Sequence, residues 1–278
     1  MEERDFTKVE ESNVPERSRA WGIWRHIFYY AISAFVLYYF IMASLSPVRY
    51  TKSINEKFGA DSAILSTLDS RLLADSQYLS ISQRVAFIGA RNRMATGDSI
   101  GLVVNLRDSL ITLEINGVAL RAIPVISYEL PGSLEGIGYY QLTRFLGEPM
   151  AIASSEATIP KEPLMVKIAP RDTIEALALP VITPDTTGID PVFFRMKLNS
   201  GIELAILQDL TDDQLAERSL KKFLRKRALK NTEDEIRQVL TLKVPEYSPE
   251  IVIVVSKDDA RVLYRAIPPN GQVVLQIR

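Results

Sequence analysis

Three observations along this 278-residue chain predict a mainly β fold with helical insertions, preceded by one transmembrane helix and a helical neck. First, about 22 residues from Ile27 to Val48 pass without a charged side chain, the length an α-helix needs to cross the hydrocarbon of a bilayer. Second, apolar residues recur at helical intervals between Ser53 and Met94, then give way from Ser99 onward to alternation and short β-branched runs, the change from a period near four to a period of two. Third, Asn116-Gly117 separates two such runs and is the dipeptide that fills a type I′ hairpin turn.

The N-terminal segment, residues 1–24, mixes acidic and basic side chains with few apolar ones, a composition that builds no core, and reads as a cytoplasmic tail. Residues 25–48 read as a retained membrane anchor, too long and too aromatic for the short apolar core of a cleaved signal peptide. Trp21, Trp24, Tyr29 and Tyr30 cluster at its start and Tyr38, Tyr39 and Tyr50 toward its end, where amphipathic rings favour the headgroup layer. Lys8, Arg17, Arg19 and Arg25 before the span outweigh Arg49, Lys52 and Lys57 after it only slightly, which places the N-terminus in the cytoplasm and everything downstream in the periplasm or exterior.

Residues 49–98 form the expected neck. Ile54, Phe58, Ile64, Leu65, Leu68, Leu72 and Leu79 predict helix from Ser53 to Leu79, and Val85, Phe87, Ile88 and Met94 a second stretch, closed by Thr96-Gly97-Asp98, so that the neck is a helical hairpin or one bent helix. Such an apolar stripe packs on the following domain or pairs with a second copy in a short coiled-coil stalk.

The extracytoplasmic domain spans residues 99–278. Strands are expected at Ile100–Leu106, Ser109–Ile115 and Val118–Ser127, then at Leu164–Ala169, Val192–Leu198, Ile202–Leu207, Ile251–Val255 and Gln272–Ile277. The proline-rich stretch from Pro131 to Pro191 predicts turns, short strands and loops folded with the domain. Thr211-Asp212-Asp213-Gln214 and Thr232-Glu233-Asp234-Glu235 read as two capping boxes, which divides the insertion 211–241 into two helices. The first is basic and amphipathic; Lys222, Phe223, Arg225 and Lys226 are its candidate contacts for an acidic partner or anionic headgroups.

Composition narrows the chemistry. With 33 basic and 34 acidic residues the chain has no charge excess for binding nucleic acid through its phosphates. It contains no cysteine and a single histidine, His26, at the lip of the span. No Gly-rich phosphate loop, histidine-containing metal motif or nucleophile elbow is present, so neither a metal nor a cofactor is expected. Glu203 with Asp209, or Asp258 with Asp259, are the remaining carboxylates that a cation or acid–base chemistry would use. The latter pair follows Ser256, however, where acidic residues ordinarily serve the first turn of a helix.

The stretch IGLVVNLRDSLITLEINGVALRAIPVI (Ile100–Ile126) resembles the opening of an L,D-transpeptidase catalytic domain, and SKDDARVLYRAIPPNGQVVLQI (Ser256–Ile277) is similar to that family's closing helix and strand. The resemblance covers the two ends of the domain. It implies a catalytic cysteine in a short signature before Ser256 and a histidine at the end of a central strand. The signature falls on Pro249–Val255, where Glu250, Val252 and Val254 take the positions of its polar residue, cysteine and arginine. The central strand, Gly201–Leu207, has no histidine. Acyl transfer by that route needs a thiolate and a base, so the resemblance implies a catalytically inactive relative with no catalytic residues, its site filled by an apolar strand.

Two uses of such a domain are then expected. One is a structural or assembly subunit among other envelope membrane proteins, with an apolar patch on the neck or insertion and a possible homodimer through the neck helix. The other is a peptidoglycan-binding or regulatory module with a polar cleft near Arg195, Lys197 and Glu203.

Overall fold

The computed structural model describes residues 17–59, 75–161, 190–211 and 213–277. Its elements are α1 (Arg17–Phe58), α2 (Ser76–Met94), β1 (Gly101–Asn105), β2 (Leu110–Ile115), β3 (Val118–Pro124), β4 (Ser127–Glu129), α3 (Gly132–Glu135), α4 (Tyr139–Leu146), β5 (Met150–Ala157), β6 (Phe193–Leu198), β7 (Glu203–Gln208), α5 (Gln214–Leu240), β8 (Glu250–Val255), α6 (Lys257–Ala266) and β9 (Gln272–Gln276).

The strands form one mixed sheet in the order β3-β2-β1-β9-β5-β6-β7-β8-β4. Its first and last strands are consecutive pieces of one extended stretch. β3 pairs with β2, and within two residues β4 pairs with β8. At the crossing, the Val125 amide donates to the Ser109 carbonyl and the Ile126 amide to the Val254 carbonyl, both at 2.9 Å. The opposite corner is β5, whose Met150 and Ala151 pair with β9 while Ile152 to Ala157 pair with β6 across a bulge; bulges are where strands bend from one sheet into another. The sheet therefore folds back on itself around a core of inward side chains such as Leu102, Ile111, Phe194, Leu204, Ile206, Ile253 and Val273. β1 with β9 and β7 with β8 are parallel, and the remaining pairs are antiparallel.

The hairpin between β2 and β3 turns on Asn116 and Gly117 at φ 51° and 78°, the backbone a type I′ turn requires. The strands expected at Val192, Ile202, Ile251 and Gln272 correspond to β6, β7, β8 and β9 to within a residue or two; that at Leu164–Ala169 lies outside the described residues. The run expected from Val118 to Ser127 is divided, because its two halves find different partner strands. β8 alternates rather than being buried throughout: Ile251, Ile253 and Val255 enter the core, while Val252 and Val254 sit half-buried on the other face.

Helices differ more from expectation. The Ser53–Leu79 helix is interrupted: α1 ends at Phe58, residues 60–74 lie outside the described residues, and α2 begins at Ser76 behind Asp75, whose carboxylate accepts the Gln77 amide at 2.8 Å. The loop-like region after Pro131 contains α4, which buries Leu142, Phe145 and Leu146. The insertion is one 27-residue helix, not two. Thr232 does not cap a second helix, because its hydroxyl donates to the Ala228 carbonyl four residues back, at 2.8 Å, a bond made inside a continuous helix. At the N-terminus the cap is Asp213, whose carboxylate accepts the Ala216 amide at 2.9 Å; Thr211 instead donates its hydroxyl to Asp209.

α1 is 42 residues long, and within it Trp24–Phe58 is long and apolar enough to cross a membrane. Residues Trp24 to Leu37 are exposed along one continuous stretch. From Tyr38 onward the helix meets the sheet domain. Ser46 donates to the Pro245 carbonyl, Tyr50 packs edge-on against Tyr247 at 5.8 Å, Ile54 is buried in the main core, and Phe58 meets Phe145 at 5.3 Å.

Candidate functional site

The site residues expected at Arg195, Lys197 and Glu203 lie on the outer face of the sheet, where β6, β7 and β8 run side by side. Alternation puts Phe194, Met196 and Leu198 of β6 in the core and Phe193, Arg195 and Lys197 outside. The pairing register then sets Phe193 beside Leu207, and Lys197 beside Glu203, which is beside Glu250. The outer face is thus apolar at one end and charged at the other.

α5 lies across this face with a matching gradient. Ala216 and Phe223 pack on Phe193, with Leu207 and Leu220 alongside. Four residues beyond Phe223, one helical turn on, Arg227 reaches the charged end. Its guanidinium donates to Glu203 at 3.0 Å and also to Glu250. Arg195 donates to Glu156 of β5 at 3.0 Å and stands 3.6 Å from the Glu203 carboxylate. Lys226 reaches Glu156 at 3.4 Å, and Lys197 faces Glu246 at 3.7 Å. Burial holds the Glu203 carboxyl above the ordinary carboxylate range, the neighbouring Glu250 and Glu246 add to that, and Lys197 opposes it.

The three predicted cleft residues are therefore brought together. With Ser154, Glu156, Lys230 and Asn231 they line a cleft of about 450 Å³. Glu250, predicted as a degenerate catalytic position, joins the same network through Arg227, whereas Val252 and Val254 line the strand beyond it. Arg227, Glu156 and Glu246 were not singled out from the sequence. The signal for Arg227 is its phase: it shares the inward helical face of Ala216, Leu220 and Phe223.

The predicted partner-contact residues separate. Phe223 faces inward and is buried against Phe193, not available to a partner, because the helix needs one apolar face for the sheet. Lys222 and Arg225 are exposed, and Lys226 is exposed but paired with Glu156. The carboxylates considered for cation binding stay apart in role. Asp209 accepts from Thr211, and Asp259 accepts from Ser256 and Arg121. Ser256 caps α6 by accepting the Asp259 amide. No cluster of three metal-ligating side chains occurs among the described residues.

A second surface stands out on α2. Gln83, Phe87, Ala90 and Met94 are buried, the last three against Val103 and Val274. On the opposite face Tyr78, Ile81, Val85 and Ile88 are exposed at three- and four-residue intervals. Comparisons with protein-family models, with curated proteins and with solved structures found no match to this chain.

Proposed function

We propose that this chain is a single-pass, catalytically inactive, L,D-transpeptidase-like protein of the inner membrane, acting from the periplasmic side as an assembly subunit of a bacterial cell-envelope complex. The observation that carries the reading is the α2 stripe of Tyr78, Ile81, Val85 and Ile88, apolar and uncovered at the spacing of a helix–helix seam. The state of the cleft agrees with it. Arg227 occupies the charged end of the sheet face, and the carboxylates there already have guanidinium partners from the same chain. The absence of cysteine from the whole sequence removes the nucleophile of the resembled family's reaction.

The test is isolation of the full-length chain from gently solubilised membranes, beside a variant carrying Ile81→Asp and Val85→Asp. Membrane proteins that accompany the parent and are lost from the variant support the assembly role, as does a self-associated form lost in the same way. If both chains emerge alone, the reading fails.

A second reading, a peptidoglycan-binding module, draws on the cleft itself. One terminal nitrogen of Arg195, Nη1, makes no hydrogen bond, its nearest carboxylate being Glu203 at 3.6 Å, and a stem-peptide carboxylate entering the cleft would supply a closer acceptor. Sacculus pull-down with the parent and Arg195→Ala separates this reading: retention by the parent alone favours it over the assembly role.

A further inference from the structure

Tyr39 lies inside the uncharged run of α1, yet its hydroxyl donates to Glu235 of α5 at 2.5 Å, and seven residues on Ser46 bonds the Pro245 carbonyl. From Ile27 to Tyr38, α1 measures only about 18 Å at 1.5 Å per residue, well short of a hydrocarbon layer of about 30 Å. A layer ending at Tyr39 has to begin about 20 residues upstream, among Arg17, Arg19 and the two tryptophans, with Arg25 snorkelling outward. A layer beginning at Ile27 ends near Val48, beyond the Tyr39 contact. In both cases the C-terminal half of α5 stands at headgroup depth or closer, with no aqueous gap between domain and bilayer.

The surface of α5 suits that position. Beyond Arg227 the helix is held by other contacts: Val239 is buried, Gln238 accepts the Glu246 amide at 2.8 Å, and Glu235 meets Tyr39 of α1. On its outer face Leu229 is 74% exposed and Leu240 65%, with Ile236 between them and Leu242 in the following turn at 78%. At 100° per residue, Leu229, Ile236 and Leu240 share an arc of about 60° with Arg218, Lys222 and Arg225, all three exposed. Phe40, Ile41, Leu45 and Val48 of α1 are exposed as well. Of the carboxylates at this level, Glu235 accepts from Tyr39 and Glu233 pairs with Arg237 at 3.5 Å, while Asp234 lines the cleft beside Lys197 and Glu203, away from the arc of leucines.

We propose that the outer face of α5 that carries Leu229, Ile236 and Leu240 lies in the headgroup layer of the membrane that α1 enters, its apolar side chains at the acyl boundary and Arg218, Lys222 and Arg225 toward anionic headgroups, seating the sheet domain on the bilayer. This rests on the reading of α1 as an anchor. It follows the pattern of interfacial helices, whose affinity combines apolar burial with attraction to anionic lipid.

The natural absence of cysteine makes the test clean. The full chain is reconstituted in vesicles of phosphatidylethanolamine and phosphatidylglycerol with a spin label at Leu229→Cys, Ile236→Cys or Leu240→Cys, and relaxation by oxygen is compared with that by a water-soluble nickel complex. Ile32→Cys, inside the layer in both placements, serves as the hydrocarbon reference and Asp108→Cys, in the exposed β1–β2 turn, as the aqueous one. The expected result is a depth for all three α5 sites between the two references, becoming more aqueous when phosphatidylglycerol is omitted. Aqueous values at the α5 sites with Ile32 in hydrocarbon overturn the inference and leave the anchor standing. An aqueous Ile32 overturns both. Shielding of the α5 sites from both reagents means that protein, not lipid, covers them, and also overturns it.

Discussion

Helices α2 and α5 both pack on the sheet, but by different physics. α2 buries Phe87, Ala90 and Met94 against Val103 and Val274, and its main ionic contact, Arg91 with the buried Glu114 at 2.5 Å, sits beside that apolar patch. α5 packs on the apolar end of the sheet face through Ala216 and Phe223, is latched midway by Arg227 to Glu203 and Glu250, and buries one further apolar side chain, Val239, in its last turn. A helix held by apolar burial is not weakened by ionic screening or by titration, whereas one held by partly buried charges responds to both. The difference separates a permanent part of the core from an attachment that can be loosened at one end.

The largest effect expected is at the apolar contact. Phe87→Ala removes a ring that is 6% exposed and should cost about 3 kcal/mol through lost transfer energy and the cavity left behind. Thermal unfolding of the full chain in detergent, followed by circular dichroism, should show this loss equally at low and high salt. A loss that shrinks with added salt would mean that Arg91 and Glu114, not the ring, hold α2.

Arg227→Met comes next, at about 2 kcal/mol, because it leaves two partly buried carboxylates without their shared cation. The expected signature is salt dependence: the gap between parent and variant narrows as ionic strength rises. In the Arg227→Met background, Glu203→Gln should become less costly by about 1 kcal/mol, the coupling expected of residues in one network. Additive losses would show that Arg227 stabilises through its packed stem alone.

A smaller effect, about 1 kcal/mol, is expected from Asp213→Ala, which removes the carboxylate that accepts the Ala216 amide at the start of α5. Hydrogen exchange should speed at the first turn of α5 and stay unchanged at α2. Acceleration along the whole helix would show that the apolar footing is the weaker half of its attachment.

Much of this comparison was legible in the sequence, and what was missed has identifiable causes. The Asn116-Gly117 hairpin was readable because its positive φ angles demand those residues. β8 and β9 were readable from β-branched runs and β6 and β7 from short apolar stretches with alternating polar residues, and strand alternation is also why Arg195, Lys197 and Glu203 could be placed together. The closure of the sheet was hidden because β3 and β4 read as one run; only the identity of their partners, β2 and β8, divides them. Thr232 resembled a cap because a threonine followed by acidic residues looks the same whether its hydroxyl serves a new helix or the carbonyl of Ala228 behind it. Arg227 was hidden among Lys221, Lys222, Arg225, Lys226 and Lys230, since only its phase relative to Phe223 turns it inward.

The smallest effect concerns protons at the latch. Burial and the nearby Glu250 carboxylate raise Glu203 above the ordinary carboxylate range, so the folded chain keeps this proton over a window where the unfolded chain, ionising near about 4.3, has lost it. Stability contributed by the raised group is complete below the unfolded value and is lost as pH rises through the folded one. Relative to Glu203→Gln, which does not titrate, the parent should therefore lose stability across that window, and its difference in unfolding temperature should fall steadily upward from about pH 4. The guanidiniums of Arg195 and Arg227 pull the other way. A difference that grows with pH would show that their attraction outweighs burial, making the charged end of α5 a stabilising clamp at neutral pH and not a latch that protonation tightens.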